Sequence, residues 1–173
     1  CHPPEPSFVR PAAQLQFPST AEGRAQYRAM ITDIIADARR RAAVLFERVP
    51  RMPVVARPYP PFMGGRAASY SLGTIDGSRP GVYQYPEYDV TLTRFGARTT
   101  AYHEAIPGHH FQGALQAEDN TLPKFIKDRV FGGNSANGEG WGLYAEHLTA
   151  EQGWYDGDPA GLLGQLEMEL FRA

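Results

Sequence analysis

Apolar residues recur every three or four positions along the early part of the chain, which is the pattern of an amphipathic helix. The stripe begins at Tyr27 and ends at Leu45. It follows a sequence in which Ser19 and Glu22 fit the two paired positions of a capping box. The pattern therefore predicts a helix over residues 20–49, which ends before the next proline.

Between residues 51 and 95 this periodicity gives way to prolines, turn residues and short runs of β-branched and aromatic residues. The prolines exclude a helix. Runs at residues 68–75, 82–85 and 90–95 are typical of strands, and residues 76–81 form a turn-rich connection between the first two. The segment predicts a small β-sheet.

Helical patterns return over residues 97–151, and a stripe of leucines predicts a last helix over residues 159–173. Residues 1–18 are proline-rich and predict an irregular lead-in. The order of elements predicts an α+β fold that is mainly helical. The chain does not begin with methionine, and its last helix lacks a stop signal. We therefore expect a fragment of a larger, mostly helical protein.

Composition excludes several classes of protein. A net charge of −2 and a pI near 6.2 give no reason to expect nucleic acid as a partner. No apolar run is long enough to cross a bilayer. The one cysteine, Cys1, cannot form an internal disulfide. A cysteine at the first position fits the lipidated start of a lipoprotein, but an arbitrary start within a longer chain is the favoured interpretation.

Candidate chemistry is concentrated in residues 102–110, which contain three of the five histidines. A His-Glu pair followed closely by another histidine is how helix-borne zinc hydrolases build their sites. Here His103 and Glu104 form the pair. The next histidines, His109 and His110, come six and seven positions after the first instead of four.

The spacing leaves two candidates for the second ligand. On a regular helix His110 would be better placed, because seven residues return to nearly the same face. The helix is not expected to be regular, since Pro107 cannot donate a hydrogen bond to the carbonyl of His103. A bulge at residues 106–108 would absorb two residues and return His109 to the usual position. We predict His109 as the ligand, with His110 as its rival or as a supporting residue.

A hydrolytic zinc site normally has three protein ligands and one position for water. Glu139 is the predicted third ligand, because the glycines on both sides of it would let its helix approach the histidines closely. Glu146 lies on nearly the same face, where it would either accept a histidine N–H or pair with an arginine at the surface. Glu104 is the predicted catalytic base, which takes a proton from water and passes it to the leaving amine.

The implied cofactor is one catalytic Zn²⁺ ion, and the implied substrate is a peptide or small amide. The strand at residues 82–85 could add an extended peptide to the sheet edge, with Tyr83 and Tyr85 as substrate-binding residues. These tyrosines, Tyr88 and Tyr144 are candidates for stabilising the oxyanion. Two alternatives use the same residues: a non-haem iron oxidoreductase with a two-histidine, one-carboxylate site, and a metal-binding module without turnover.

Residues 102–112 and 138–146 resemble the two signature blocks of the bacterial "domain of unknown function 885" family, and residues 76–81 resemble a third block. The resemblance implies a gluzincin-like zinc metallopeptidase with two histidines and a glutamate, and it supports His109 over His110. It also implies that residues 19–173 are part of a larger catalytic domain, in which zincin-like metal-bearing helices lie beside the sheet. Many family members are exported, so a periplasmic or lipoprotein location is an expectation.

Overall fold

The computed structural model describes residues 15–127 and 135–172, in which helices predominate beside one small sheet. The helices are α1 (Ala21–Leu45), α2 (Ala97–Glu104), α3 (His109–Glu118), α4 (Lys124–Lys127), α5 (Ser135–Glu151) and α6 (Pro159–Arg172). The strands are β1 (Val54–Pro58), β2 (Ser69–Ser71) and β3 (Gly81–Tyr85), and a short 3₁₀ helix (Pro61–Met63) follows β1. The predicted mainly helical α+β fold is confirmed. Most of the predicted lead-in over residues 1–18 lies outside the described residues.

Helix α1 begins at Ala21, and its N-cap, Thr20, is one residue later than the predicted cap, Ser19. Thr20 has an extended backbone, and its side-chain oxygen accepts a hydrogen bond from the main-chain N–H of Gly23 at 3.1 Å. A Cβ atom at Gly23 would lie 2.0 Å from the carbonyl oxygen of Pro18. The backbone before the helix therefore packs directly on Gly23, where a larger residue would clash. The capping box predicted at Ser19 is therefore wrong, because the preceding turn places Thr20 at the cap.

The predicted stripe of α1 forms one wall of the core. The helix ends at Leu45, short of the predicted residue 49, because Phe46 becomes extended and packs against Phe111 with ring centroids 4.7 Å apart. Its buried face consists of Gly23, Tyr27, Ile31, Ile34, Ile35, Ala38 and Ala42. This face packs on α2 and β1, so the longest helix supports α2, which carries His103 and Glu104.

The sheet has the order β1-β3-β2, with β1 parallel and β2 antiparallel to β3. The predicted small sheet is present: β3 agrees with the strand predicted at residues 82–85, and β2 is shorter than the run predicted at residues 68–75. Strand β1 was missed because Pro58 ends it and Pro53 precedes it. An edge strand tolerates proline, since one side of the strand donates no ladder hydrogen bonds. Residues 90–95 form no strand, and only an isolated bridge joins Gln16 to Thr93.

Helix α2 lies at the centre of the helical layer and contacts α1, α5 and α6. Six of its eight residues are buried, among them Tyr102, His103 and Glu104. Buried polar residues require partners, and α5 supplies two of them to His103, the carboxylates of Glu139 and Glu146. In the described part of the chain, no helix is both long and apolar enough to span a membrane.

Candidate metal centre

The helical path is interrupted between the first two predicted ligands. Helix α2 ends at Glu104 and α3 begins at His109, with a cis peptide bond between Ile106 and Pro107 in the gap. The N–H of Gly108 donates to the carbonyl of Tyr102 at 2.9 Å, and the N–H of Phe111 donates to that of Ala105 at 3.3 Å. Both bonds span six residues instead of four, so the gap absorbs two extra residues, as the proline and glycine predicted.

Two contacts fix the conformation of this gap. A Cβ atom at Gly108 would lie 1.7 Å from the carbonyl oxygen of His103, so only glycine fits there. From α5, the indole N–H of Trp141 donates to the carbonyl of Pro107 at 2.8 Å. The conformation of the gap is therefore fixed by its close contact with the end of α2 and by a hydrogen bond from α5.

The gap brings His109 beside His103, and α5 adds Glu139. Donor atoms of these three residues all lie within 4.8 Å of one another. The Nε2 atom of His103 is 3.3 Å from one carboxylate oxygen of Glu139, and the Nε2 atom of His109 is 3.5 Å from the other. The two imidazole rings are nearly perpendicular, with centroids 4.6 Å apart. The structure thus brings together the three residues predicted as ligands.

The carboxylate of Glu146 determines which nitrogen of His103 faces this cluster. Its Oε1 atom is 2.6 Å from Nδ1 of His103. Because an ionised carboxylate only accepts, Nδ1 donates its proton, and in the neutral ring Nε2 presents a lone pair towards Glu139 and His109. Burial lowers the pKa of His103, but the hydrogen bond to Glu146 and the charges of Glu146, Glu104 and Glu139 outweigh it, so the pKa is raised. Converging lone pairs and negative charge favour a cation between them.

A different glycine from those predicted lets α5 approach α2. Gly138 and Gly140, on either side of Glu139, have no atom of the described chain within 4 Å of an added Cβ. At Gly142 an added Cβ would lie 2.5 Å from Cε1 of His103. The prediction that the flanking glycines permit close approach is wrong, because they lie on the open side of the helix. The close contact is made one turn after Glu139.

Glu104 lies next to the ligand cluster in a buried position. Burial raises the pKa of its carboxyl from 4.5 to about 6; the charge of His103 lowers it, and those of Glu139 and Glu146 raise it. The residue lines a cavity of about 410 Å³ together with His103 and Glu139, two of the predicted ligands. The rest of the lining is Ala67, Ala68, Thr100, Leu143, Met168 and Arg172. A carboxyl group with a pKa near neutrality therefore faces the same space as the proposed metal.

His110 lies outside the ligand cluster. It is 1% exposed, its Nδ1 atom is 2.9 Å from the hydroxyl of Tyr70, and it is hydrogen-bonded to the main chain of Met52. Burial, with a smaller effect of the Arg39 charge, lowers its pKa to about 4, so the ring is neutral. The predictions of His110 as a rival ligand or as a support for the ligands are wrong, because the gap shifts the helical register by two residues and turns this ring towards β2.

Comparison with known proteins places the chain in a family. Residues 7–173 match the family described as "Bacterial protein of unknown function (DUF885)". The chain belongs to the DUF885 family. No curated protein matches the sequence. A crystal structure described as that of "the putative lipoprotein from Colwellia psychrerythraea" is similar to this DUF885 chain, with a TM-score of 0.82 and 32% identity over 92% of the chain. The chain spans 27% of the length of that protein.

The tyrosines predicted to bind substrate lie deeper in this DUF885 chain than expected. Tyr83 and Tyr85 are 1% and 2% exposed and belong to β3. They line a second cavity of about 220 Å³, which meets the first at Ala68 and Thr100. Strand β3 pairs on both sides, so the prediction that a peptide adds to it is wrong. The order of the strands leaves β2 at the edge beside the site.

The other two oxyanion candidates lie away from the ligand cavity. The ring of Tyr88 lies beneath the guanidinium of Arg24, and the ring of Tyr144 is half-exposed beside Trp141. Neither is among the residues that line the cavity of about 410 Å³. In the described part of the chain, the three residues predicted as ligands lie together, whereas the tyrosines predicted to bind substrate or stabilise the oxyanion do not line this cavity.

Sequence reasoning missed Arg172 and Thr100, and it assigned no role to Trp141 or Gly142. The last two lie inside the signature block around Glu139, so their place in that block was a usable signal. Thr100 precedes His103 by one helical turn, which was a weaker signal. Arg172 lies 26 residues beyond Glu146, and only the packing of α6 brings them together.

Proposed function

We propose that this DUF885 chain carries the metal centre of a zinc-dependent hydrolase that cleaves peptide or related amide bonds. The observation that carries the proposal is the convergence of His103, His109 and Glu139 beside the buried carboxyl of Glu104. Two imidazoles and one carboxylate, with a fourth position open to a cavity, match the ligand set of catalytic zinc sites.

The spacing of the donor atoms fits a zinc ion. Tetrahedral ligands that are each about 2 Å from zinc lie roughly 3.3 Å from one another. Nε2 of His103 is 3.3 Å from one oxygen of Glu139, Nε2 of His109 is 3.5 Å from the other, and one donor atom from each of the three residues lies within 4.8 Å of the other two. In such sites the second ring nitrogen of a ligating histidine is usually hydrogen-bonded. Glu146 provides this hydrogen bond to Nδ1 of His103. His103, His109 and Glu139 would hold the ion, and Glu146 would orient His103.

A zinc ion held there would lower the pKa of a water molecule towards 7 and polarise the carbonyl of the substrate. Glu104 accepts the proton that the attacking water loses. It then donates that proton to the nitrogen of the departing amine as the carbon–nitrogen bond breaks. A carboxyl with a pKa of about 6 suits both roles, since the group is ionised at neutral pH and gains a proton readily.

The wall of the cavity supports an extended substrate. Ala67 and Ala68 line the cavity and lead directly into β2, an outer strand in the order β1-β3-β2. An extended peptide in this cavity would lie beside these alanines and next to Glu104 and Glu139. Small alanine side chains at this point leave space for the side chains of the substrate.

The test combines metal analysis of the full-length protein with digestion of a peptide library, with and without chelator. We expect near-stoichiometric zinc, cleavage that stops with chelator, and for Glu104→Gln retained zinc with activity reduced by about 10²- to 10⁴-fold. Glu151→Gln, an exposed carboxylate paired with His147, is the matched control and should keep full activity. Absence of zinc, or iron with oxygen consumption and no hydrolysis, would contradict the proposal.

A further inference from the structure

Glu146 uses both of its carboxylate oxygens. Oε1 is 2.6 Å from Nδ1 of His103, and Oε2 is 2.6 Å from a terminal nitrogen of Arg172. The sequence left open whether Glu146 would accept from a histidine or pair with an arginine, and both contacts are present. The side chain is 3% exposed, so Glu146 is buried and not at the surface. It therefore links α6 to the ligand on α2.

A buried carboxylate at this position needs a positive partner. Transfer of an ionised group away from water is costly unless it is paired and hydrogen-bonded. Within residues 15–127 and 135–172, Arg172 is the lysine or arginine that forms an ion pair with Glu146. The hydroxyl of Thr149 donates to the main-chain carbonyl of Glu146 and leaves the carboxylate to the other two residues.

The geometry points to Arg172 as a positioning residue for the metal centre. Its guanidinium fixes the Glu146 carboxylate, which holds Nδ1 of His103 and thereby directs Nε2 towards the site shared with His109 and Glu139. This inference rests on the proposed metal centre. It assigns to the last turn of α6 a role that neither the motif around His103 nor the one around Glu139 contains.

This role favours arginine over lysine at position 172. Arginine presents several N–H donors in a rigid plane, whereas the ammonium of lysine is a point charge on a flexible stem. Arg172 also lines the cavity, and its side chain is 31% exposed, so a shorter or neutral replacement can be accommodated. Substitution should therefore change the orientation of Glu146 more than it changes the fold.

The first measurement is the zinc affinity of the full-length protein by competition with a chromophoric chelator. We expect Arg172→Gln to weaken zinc binding about tenfold, the lower end of the effect of removing outer partners of a ligand. Arg172→Lys should fall between this variant and the wild type. Arg40→Gln removes an arginine from an exposed pair with Asp37 on α1 and should bind zinc like the wild type. Thermal unfolding of each metal-free variant reports whether the fold is retained.

A double substitution separates positioning from general destabilisation. If Arg172 acts through Glu146, then Glu146→Gln combined with Arg172→Gln should bind zinc no more weakly than Glu146→Gln alone. The inference would be overturned if the double variant lost zinc affinity by the product of the two single losses, or if Arg172→Gln bound zinc like the wild type. Either result would leave the proposed function intact. A wild-type protein that binds no zinc would overturn both.

Discussion

His103 is the residue on which the site depends most, because both of its ring nitrogens are engaged. Glu146 lies against Nδ1, Glu139 faces Nε2, and the backbone of α5 closes over the ring at Gly142. A ring with this many contacts has one orientation. Small changes in its surroundings should therefore appear as changes in metal affinity.

Gly142→Ala tests this at the scale of one methyl group. The added Cβ would lie 2.5 Å from the His103 ring, so the ring or the helix must move. We expect overpacking to cost about 1–3 kcal/mol of unfolding free energy. We also expect zinc affinity to fall at least tenfold, as in other changes that displace a ligand. Chelator competition and thermal unfolding measure the two effects.

Gly140→Ala is the matched control, because an added Cβ there meets no atom of the described chain within 4 Å. Alanine is a better helix former than glycine by about 1 kcal/mol in an exposed helix interior. This variant should therefore bind zinc normally and be as stable as the wild type or slightly more stable. Equal loss of zinc affinity in both variants would show that Gly142 has no special contact with His103.

At the scale of elements, one face of α5 carries most of the site. Glu139, Gly142 and Glu146 follow one another at spacings of three and four residues, which places them on one side of a helix. They supply a ligand, a close approach and a supporting carboxylate. The sequence predicted that the two glutamates share a face because helical periodicity is local. It did not identify which glycine makes the contact, because that depends on α2.

Trp141 connects α5 to the gap between the histidines, and Trp141→Phe removes this connection. The carbonyl of Pro107 loses its donor, which should cost about 1–3 kcal/mol if no water replaces it. Because the gap sets the position of His109, we expect weaker zinc binding together with the loss of stability. Tyr144→Phe, at a half-exposed neighbouring ring, should change neither. Wild-type zinc affinity in Trp141→Phe would show that the gap holds its shape without the indole.

The gap itself shows how far local chemistry can predict structure. Pro107 cannot donate in a helix and Gly108 accepts a backbone that other residues cannot adopt, so the interruption and its two extra residues were predictable. Strand β1 was not predictable, because its Pro58 is tolerated only at the edge of a sheet and the sequence does not contain the order of the strands. Because the sequence does not give the order of the strands, the prediction that a peptide adds to β3 was also wrong.

At the scale of the whole molecule, contacts between distant segments determine which face of a helix is buried, and periodicity alone does not. The leucine stripe correctly predicted α6, yet Leu163, Leu166 and Leu170 are 53%, 47% and 78% exposed. The face that packs contains Gly164 instead, where a Cβ would lie 2.2 Å from the main chain of Gly96. This close packing of α6 against the start of α2 allows the end of α6 to reach Glu146.

The central claim is that His103, His109 and Glu139 bind one zinc ion. The most direct measurement is anomalous diffraction from crystals of the zinc-loaded full-length protein, above and below the zinc absorption edge. The account predicts one strong difference peak about 2 Å from Nε2 of both histidines and from a Glu139 oxygen. A zinc peak elsewhere, or none between these three side chains, would contradict it.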